Sequence, residues 1–173
     1  IGQNGLRFCE SGWEGESVCE GLETSDGLVA LRDDDRNNIA LIDLNAGSEP
    51  QLRLKGHAGE IHGFAECADG SLVSWSADAS LRFWSLETGA CRLTVDSHEH
   101  PVLGVMELPE QHLLSWDDHG GFVLTNYANG NSQSLEGLPS HDSDLDYRLD
   151  GRLQIGALLL PENNPAAFLA WNR

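Results

Sequence analysis

Two stretches of this sequence repeat each other without a gap: ADGSLVSWSADASLRFWSLETG at residues 68–89 and PEQHLLSWDDHGGFVLTNYANG at residues 109–130. At an offset of 41 residues, Ser74 aligns with Ser115 and Trp75 aligns with Trp116. Each copy consists of short apolar segments separated by turn sequences such as Thr-Gly, Gly-Gly or Asn-Gly. This punctuation is typical of strands joined by tight turns, and nothing in either copy has the period of a long helix.

A strand-based repeat of about 41 residues has the size of one four-stranded blade of a β-propeller, so the sequence predicts an all-β fold. The best copy predicts antiparallel strands at 61–66, 72–76, 81–85 and 91–95. We predict one partial propeller over residues 1–173, with an incomplete ring of three full blades and partial blades at both ends. Its parts are an outer strand at 5–10, full blades at about 17–55, 61–95 and 102–136, and a partial blade at 153–173.

Closed propellers typically have about 4 to 8 blades, so this number of repeats is too small to close a ring without strain. Open sheet edges must be covered, and two solutions remain open. Either the remainder of a longer chain closes the ring, or two copies of this chain meet head to tail as a homodimer. The absence of an initial Met and the apolar stretch before Arg173 favour a piece of a longer polypeptide.

The charge excludes several classes of partner. The chain has 10 Lys and Arg against 28 Asp and Glu, which gives a net charge of -18 over 173 residues. A field of this sign repels nucleic acid and anionic lipid, so we expect neither nucleic acid nor a membrane as a partner. No apolar run has the roughly 20 residues of a spanning helix, and the N-terminus lacks the pattern of a signal peptide. We therefore expect a soluble, cytoplasmic protein.

The second copy resembles a WD repeat. Gly-His opens the copy at residues 56–57, and Trp-Ser at residues 84–85 stands where that family has Trp-Asp. The spacing of His57, Ser74, Asp78 and Trp84 is similar to that of the structural tetrad of the family, in which Trp donates to Ser, Ser to His and His to Asp. Such a network satisfies four polar groups and fixes a unique packing. The style of the repeat resembles that of bacterial WD-repeat proteins.

The other copies are degenerate versions of this pattern. In the third copy His98 and Ser115 persist, while His119 replaces the turn Asp and Thr125 replaces Trp. The first copy has no His before Val18, so we expect it to lack the tetrad.

Three chemical alternatives compete with a structural role. Ser74, His57 and Asp78 are also the ingredients of a hydrolase, but a mid-strand Ser that accepts an indole N–H is poorly placed for attack. Acidic residues at 142–146 resemble the first half of a calcium loop whose second half is missing. The pair His98 and His100 shows no further ligand cluster in the sequence, so we predict no metal site and no cofactor.

The cysteines provide a geometric test of the fold. Cys67 and Cys91 are predicted on the innermost and outermost strands of one blade, about 14 Å apart, which is too far for a disulfide. Cys9 and Cys19 lie on consecutive segments, so a disulfide between them remains possible.

The resemblance to WD-repeat proteins implies a non-enzymatic scaffold that binds a protein or peptide through its top rim. An acidic rim with an apolar patch favours a basic or amphipathic partner. A small-ligand or calcium-binding sensor is the alternative, and a hydrolase is a more distant one. The family's contact positions on the rim correspond to Glu60, His62, Ala77, Pro101, Leu103 and Asp118.

Overall fold

A computed structural model of the chain describes residues 21–135, which form twelve β-strands and no helix. Each set of four consecutive strands pairs in chain order as one antiparallel sheet, and we name these sheets the first, second and third blade. The prediction of an all-β fold made of four-stranded antiparallel blades is confirmed. The strands are β1 (Gly21–Glu23), β2 (Val29–Arg32), β3 (Asn38–Ile42) and β4 (Leu52–Lys55) in the first blade, β5 (Ile61–Glu66), β6 (Leu72–Ser76), β7 (Leu81–Trp84) and β8 (Cys91–Val95) in the second, and β9 (Val102–Leu108), β10 (His112–Asp117), β11 (Phe122–Asn126) and β12 (Asn131–Leu135) in the third.

In the first and second blades, the turn between the first two strands follows from an Asp-Gly pair at the same repeat position. Gly27 and Gly70 have φ angles of 79° and 78°, in the left-handed region that favours glycine. The N–H of Gly70 donates to the carbonyl of Cys67 at 2.9 Å, and the N–H of Gly27 donates to that of Thr24 at 3.0 Å. The glycine therefore allows the chain to reverse directly into the next strand.

Both faces of the second blade are buried. All five residues of β6 are buried, because alternate side chains of a strand point to opposite faces and each face meets a neighbouring blade. Leu72 packs in a cluster with Ile39 and Leu54 of the first blade. Val73, on the opposite face, packs in a cluster with Val105 of the third blade. The core therefore consists of apolar layers between successive sheets, as in a propeller.

The third blade contributes a further apolar cluster of Leu108, Leu114, Phe122 and Leu124. Residues 21–135 form three open sheets that do not close into a ring. The predicted strand at 5–10 and the partial blade at 153–173 lie outside the described residues, as do the acidic residues at 142–146. No segment between residues 21 and 135 forms a helix long and apolar enough to cross a bilayer.

Candidate functional site

The second blade holds a continuous hydrogen-bonded network of four side chains. The indole N–H of Trp84 donates to Oγ of Ser74 at 2.8 Å, and the same oxygen lies 2.8 Å from Nε2 of His57. On the other side of the imidazole ring, Nδ1 of His57 lies 2.9 Å from Oδ2 of Asp78. The geometry fits a neutral ring that donates from Nδ1 to the carboxylate and accepts the Ser74 proton at Nε2. Residues up to 27 positions apart in the sequence are thus joined across the blade.

The electrostatics of the network agree with this assignment. Burial lowers the pKa of His57, although the hydrogen bond to Asp78 and its negative charge act in the opposite direction. Burial raises the pKa of Asp78, but hydrogen bonds from Ser80, from His57 and from the N–H of Ala58 outweigh it and hold that pKa well below its usual range. The pair is therefore a carboxylate facing a neutral imidazole.

The same geometry argues against nucleophilic catalysis by Ser74. Its side chain is fully buried, at 0% exposure, and its oxygen already accepts the Trp84 indole N–H. The side chain of His57 is also completely buried. A substrate carbonyl has no access to this oxygen, so the network can support the fold but cannot attack an ester or amide.

The third blade has a shorter network, and the structure corrects one of its predicted members. Nε2 of His98 lies 2.7 Å from Oγ of Ser115, as the repeat predicts. The carboxylate at Nδ1 of His98, however, belongs to Asp117 at 3.0 Å. The prediction that His119 takes the position of the turn acid is wrong, because Asp117 reaches the ring from two residues earlier. His119 is exposed on the outside of the turn instead.

Asp117 also organises the β10–β11 turn. Its Oδ1 accepts the backbone N–H groups of His119 at 3.0 Å and Gly121 at 2.8 Å. Although burial raises the pKa of Asp117, hydrogen bonds from His98 and from these two N–H groups lower it below its usual value. One buried carboxylate therefore joins the imidazole of the preceding loop to the backbone of the turn.

Thr125 occupies the position that corresponds to Trp84. Its side chain is fully buried, and its Oγ1 has no hydrogen-bond partner. Ser115, which receives no indole N–H here, lies 3.3 Å from the carbonyl of Val123. The third blade has thus lost the fourth member of the network and retains a buried hydroxyl that bonds to nothing.

Replacing Thr125 with the isosteric Val should therefore raise the free energy of unfolding by about 1 kcal/mol, since an unsatisfied buried polar group is removed. Urea denaturation of the 173-residue chain measures this change. Thr24→Val is the matched control, because Thr24 is also buried but its Oγ1 bonds to both the carbonyl and the N–H of Leu28. That control should destabilise the chain. Equal losses for both variants would contradict the assignment of Thr125.

The junctions between blades repeat as regularly as the blades themselves. Glu66 of the second blade accepts the N–H of Ser25 in the β1–β2 turn at 2.8 Å. At the same repeat position, Glu107 of the third blade accepts the N–H of Ala68 in the β5–β6 turn at 2.9 Å. The hydroxyl of Tyr127 also donates to Glu107. Sequence reasoning missed both carboxylates, although their shared repeat position was visible.

A second junction lies at the opposite ends of these strands. Arg32 donates from a guanidinium nitrogen to the carbonyl of Ile61 at 2.5 Å, across the first two blades. At the equivalent position in the second blade, the indole N–H of Trp75 donates to the carbonyl of Leu103 at 3.2 Å. A side chain from the second strand of the first blade, and one from that of the second blade, thus holds the inner strand of the next blade.

The predicted rim residues lie at the ends of strands where the loops and turns of successive blades meet. The pairing of β5 with β6 shifts between Ile61 and Gly63, and that of β9 with β10 shifts between Trp116 and Asp117. His62 and Leu103 are therefore the extra residues of two equivalent bulges. Bulges of this kind redirect a side chain out of the regular ladder.

These two bulge residues have different surroundings. Nδ1 of His62 lies 2.8 Å from the carbonyl of Val102, so this side chain connects the second blade to the third. Leu103 is 44% exposed, one of two large apolar side chains between residues 21 and 135 that are more than a third exposed. The other is Leu44, in the β3–β4 turn.

Of the remaining rim residues, Glu60 and Asp118 carry the local charge. Glu60 is paired with Arg36 at 2.7 Å and lies 3.5 Å from Arg32, and these hydrogen bonds and charges lower its pKa. Asp118 is exposed, and its N–H donates to the carbonyl of Pro101 at 3.1 Å. Ala77 is half-buried, and its N–H donates a hydrogen bond to the carbonyl of Glu60.

The cysteines of the described residues are both free. Cys67 is buried, and this burial raises the pKa of its thiol to about 12, while Cys91 is exposed. The possible pair of Cys9 and Cys19 lies outside the described residues.

Stacked four-stranded sheets define the blades of a β-propeller, and a His–Ser–Asp network crosses the second and third of them. Comparison with known proteins agrees with this class, although no protein-family profile matches the chain. Apoptotic protease-activating factor 1 of Danio rerio is 28% identical over 142 residues, 78% of this chain. F-box/WD repeat-containing protein 10 of Mus musculus is 39% identical over 65 residues, 37% of this chain. With the tetrad of the second blade, these matches confirm the resemblance of the chain to WD-repeat proteins.

The chain spans 11% and 6% of the lengths of these two relatives. Among solved structures, a chain of the "Crystal Structure of Mitotic Checkpoint Complex" superposes with a TM-score of 0.55 at 21% identity. That match covers 61% of this chain and 33% of the other, and it supports the fold alone. The attribution to a bacterial type stays a prediction.

Proposed function

We propose that this chain is a non-enzymatic scaffold that binds a protein or peptide partner through the rim that contains His62, Leu103 and Asp118. The observation that carries the proposal is the exposed Leu103 on a bulge, beside loops that hydrogen bonds hold in place. An exposed apolar side chain on a rigid support is suited to insertion into a partner, because little conformational entropy is lost on binding.

The surrounding charge supports a basic or amphipathic partner. Asp118 is exposed near this strand end, and the whole chain carries a net charge of -18. Such a field accelerates encounter with a positively charged partner, whereas the buried apolar contact provides affinity. The burial of Ser74 and His57 supports a role without catalysis. We further propose a cytoplasmic location, and ring closure by a longer chain or by a second copy.

The test compares the same substitution at two exposed leucines, which lie at opposite ends of the strands. Leu103→Asp should abolish the retention of partners on the immobilised chain, as measured by quantitative mass spectrometry of captured proteins. Leu44→Asp, in the β3–β4 turn, should retain them, because it makes the same chemical change away from the rim. Equal retention by the two variants would contradict the rim as the binding surface. If calcium then raised the melting temperature, the sensor alternative would be favoured.

A further inference from the structure

The displacement of His119 from the network of the third blade places it beside another histidine. The imidazole rings of His100 and His119 are stacked, with centroids 3.7 Å apart and planes at 18°. Oδ1 of Asp118 lies 2.8 Å from Nδ1 of His119. Among residues 21–135, these three side chains form the one group that brings three metal-ligating atoms within 4.8 Å of one another.

The geometry points to a binding site for a divalent transition-metal ion, with His100, His119 and Asp118 as its ligands. Two imidazoles among three ligands favour zinc or a similar ion over magnesium and calcium, which prefer oxygen. Two ligand atoms that each lie about 2.1 Å from a zinc ion are at most about 4.2 Å apart. Atoms within 4.8 Å of one another are close to this spacing. Because the lone pair of an imidazole nitrogen lies in the plane of its ring, the two stacked rings must also rotate so that both nitrogens face the ion.

The backbone that carries the three ligands is already held in place. The N–H of Asp118 donates to the carbonyl of Pro101, which follows His100 directly. The N–H of His119 donates to the buried carboxylate of Asp117. Since both loops are fixed by bonds that involve no metal, less order must be created when an ion binds.

The second blade shows how this site departs from the repeat. The corresponding positions there are Gly59, Ala77 and Asp78, of which only Asp78 has a ligating side chain, and it is bonded to His57. A Cβ atom placed on Gly59 would lie 2.8 Å from the backbone nitrogen of Asp78. The two positions thus touch in that blade too, and the third blade fills the same point of contact with two imidazoles.

Three protein ligands leave at least one coordination position open in a tetrahedral site. The side chains of His119 and Asp118 are 65% and 38% exposed, so an external ligand can reach the ion. The negative charge of the chain also raises the local concentration of cations. This inference departs from the sequence-based expectation of no metal site, and it does not depend on the proposed partner.

Isothermal titration calorimetry with zinc chloride on the 173-residue chain tests the site. We expect one zinc ion per chain, retained in the presence of excess magnesium. His100→Ala and His119→Ala should each weaken binding by at least about tenfold, the loss that removal of even an outer-shell partner can cause. His112→Ala is the matched control and should bind as the wild type does, because His112 begins β10 while the site lies beyond its other end.

Both histidine variants change half-buried or exposed side chains, so the chain should remain folded, which circular dichroism checks. Cobalt(II) provides a second readout, since its visible absorption reports the coordination geometry and ligand field of the bound ion. Wild-type affinity in both variants, or no zinc binding at millimolar concentration, would overturn the site. Neither result would affect the rim proposal, whose test contains no metal.

Discussion

Replacement of Trp84 with Ala should lower the free energy of unfolding by about 4 kcal/mol, within the range for large aromatic side chains in a core. Trp84 is 1% exposed and packs in the layer between the first two blades. Its removal leaves a cavity there and deprives Ser74 of the donor to its oxygen. Because a domain is stable by only about 5–15 kcal/mol, a loss of this size is a large fraction of the total.

Trp84→Phe separates the two contributions. It keeps most of the buried area but cannot donate to Ser74, so we expect a loss of about 1–2 kcal/mol. Urea denaturation measures both variants, and hydrogen exchange shows where stability is lost. Protection should fall first in the first blade, because Trp84 packs against Ile39 and Leu54 of that blade. A Trp84→Ala variant as stable as Trp84→Phe would show that packing around the indole contributes little.

The fold and the network of the second blade were predictable because both depend on local chemistry at fixed spacing. Turn residues separate the strands, and each of His57, Ser74, Asp78 and Trp84 has a hydrogen-bonding capacity that fits its neighbour. The pattern therefore predicts both which atoms meet and why.

The third blade was predicted less well because an alignment compares sequence positions, whereas a hydrogen bond depends on which side chain extends to the acceptor or donor in space. A gapless alignment pairs Asp78 with His119, yet the carboxylate of Asp117 satisfies His98 from the strand end, where the ladder shifts register. Because Asp117 supplies the carboxylate for His98, residue 119 need not supply it. The contact between His119 and His100 follows from this change, and no spacing in the sequence indicates it.

The junctions were missed for a related reason. Glu66 and Glu107 share a repeat position, but a Glu at the end of a strand is most often exposed to solvent. Each of these carboxylates accepts a backbone N–H group from the preceding blade, and every residue except proline has such a group. Residue type alone therefore cannot indicate which one is bound.

Asp117→Asn should lower the free energy of unfolding by about 3 kcal/mol, because buried donors lose their acceptor. The carboxylate accepts from His98 through one oxygen and from the N–H groups of His119 and Gly121 through the other. An amide has one oxygen, so when it accepts from the two N–H groups, its NH₂ group faces Nδ1 of His98, and that ring must change tautomer to accept from it. The remaining hydrogen bonds also lose the negative charge that strengthens them, so both the loop at His98 and the β10–β11 turn should loosen.

His119→Ala decides between the network seen here and the one that the gapless alignment predicts. The side chain of His119 is 65% exposed, forms a hydrogen bond to the exposed Asp118 and stacks on His100. Because these are surface contacts, its loss should change the free energy of unfolding by no more than about 0.5 kcal/mol. Urea denaturation without added metal compares the two variants directly. A large loss for His119→Ala with little for Asp117→Asn would return His119 to the network and remove the basis for its place beside His100. We expect Asp117→Asn to lower the free energy of unfolding far more than His119→Ala does. That order would mean that the third blade keeps its hydrogen-bonded network with an acid two residues earlier in the sequence, so that position 119 is available for a new chemical role.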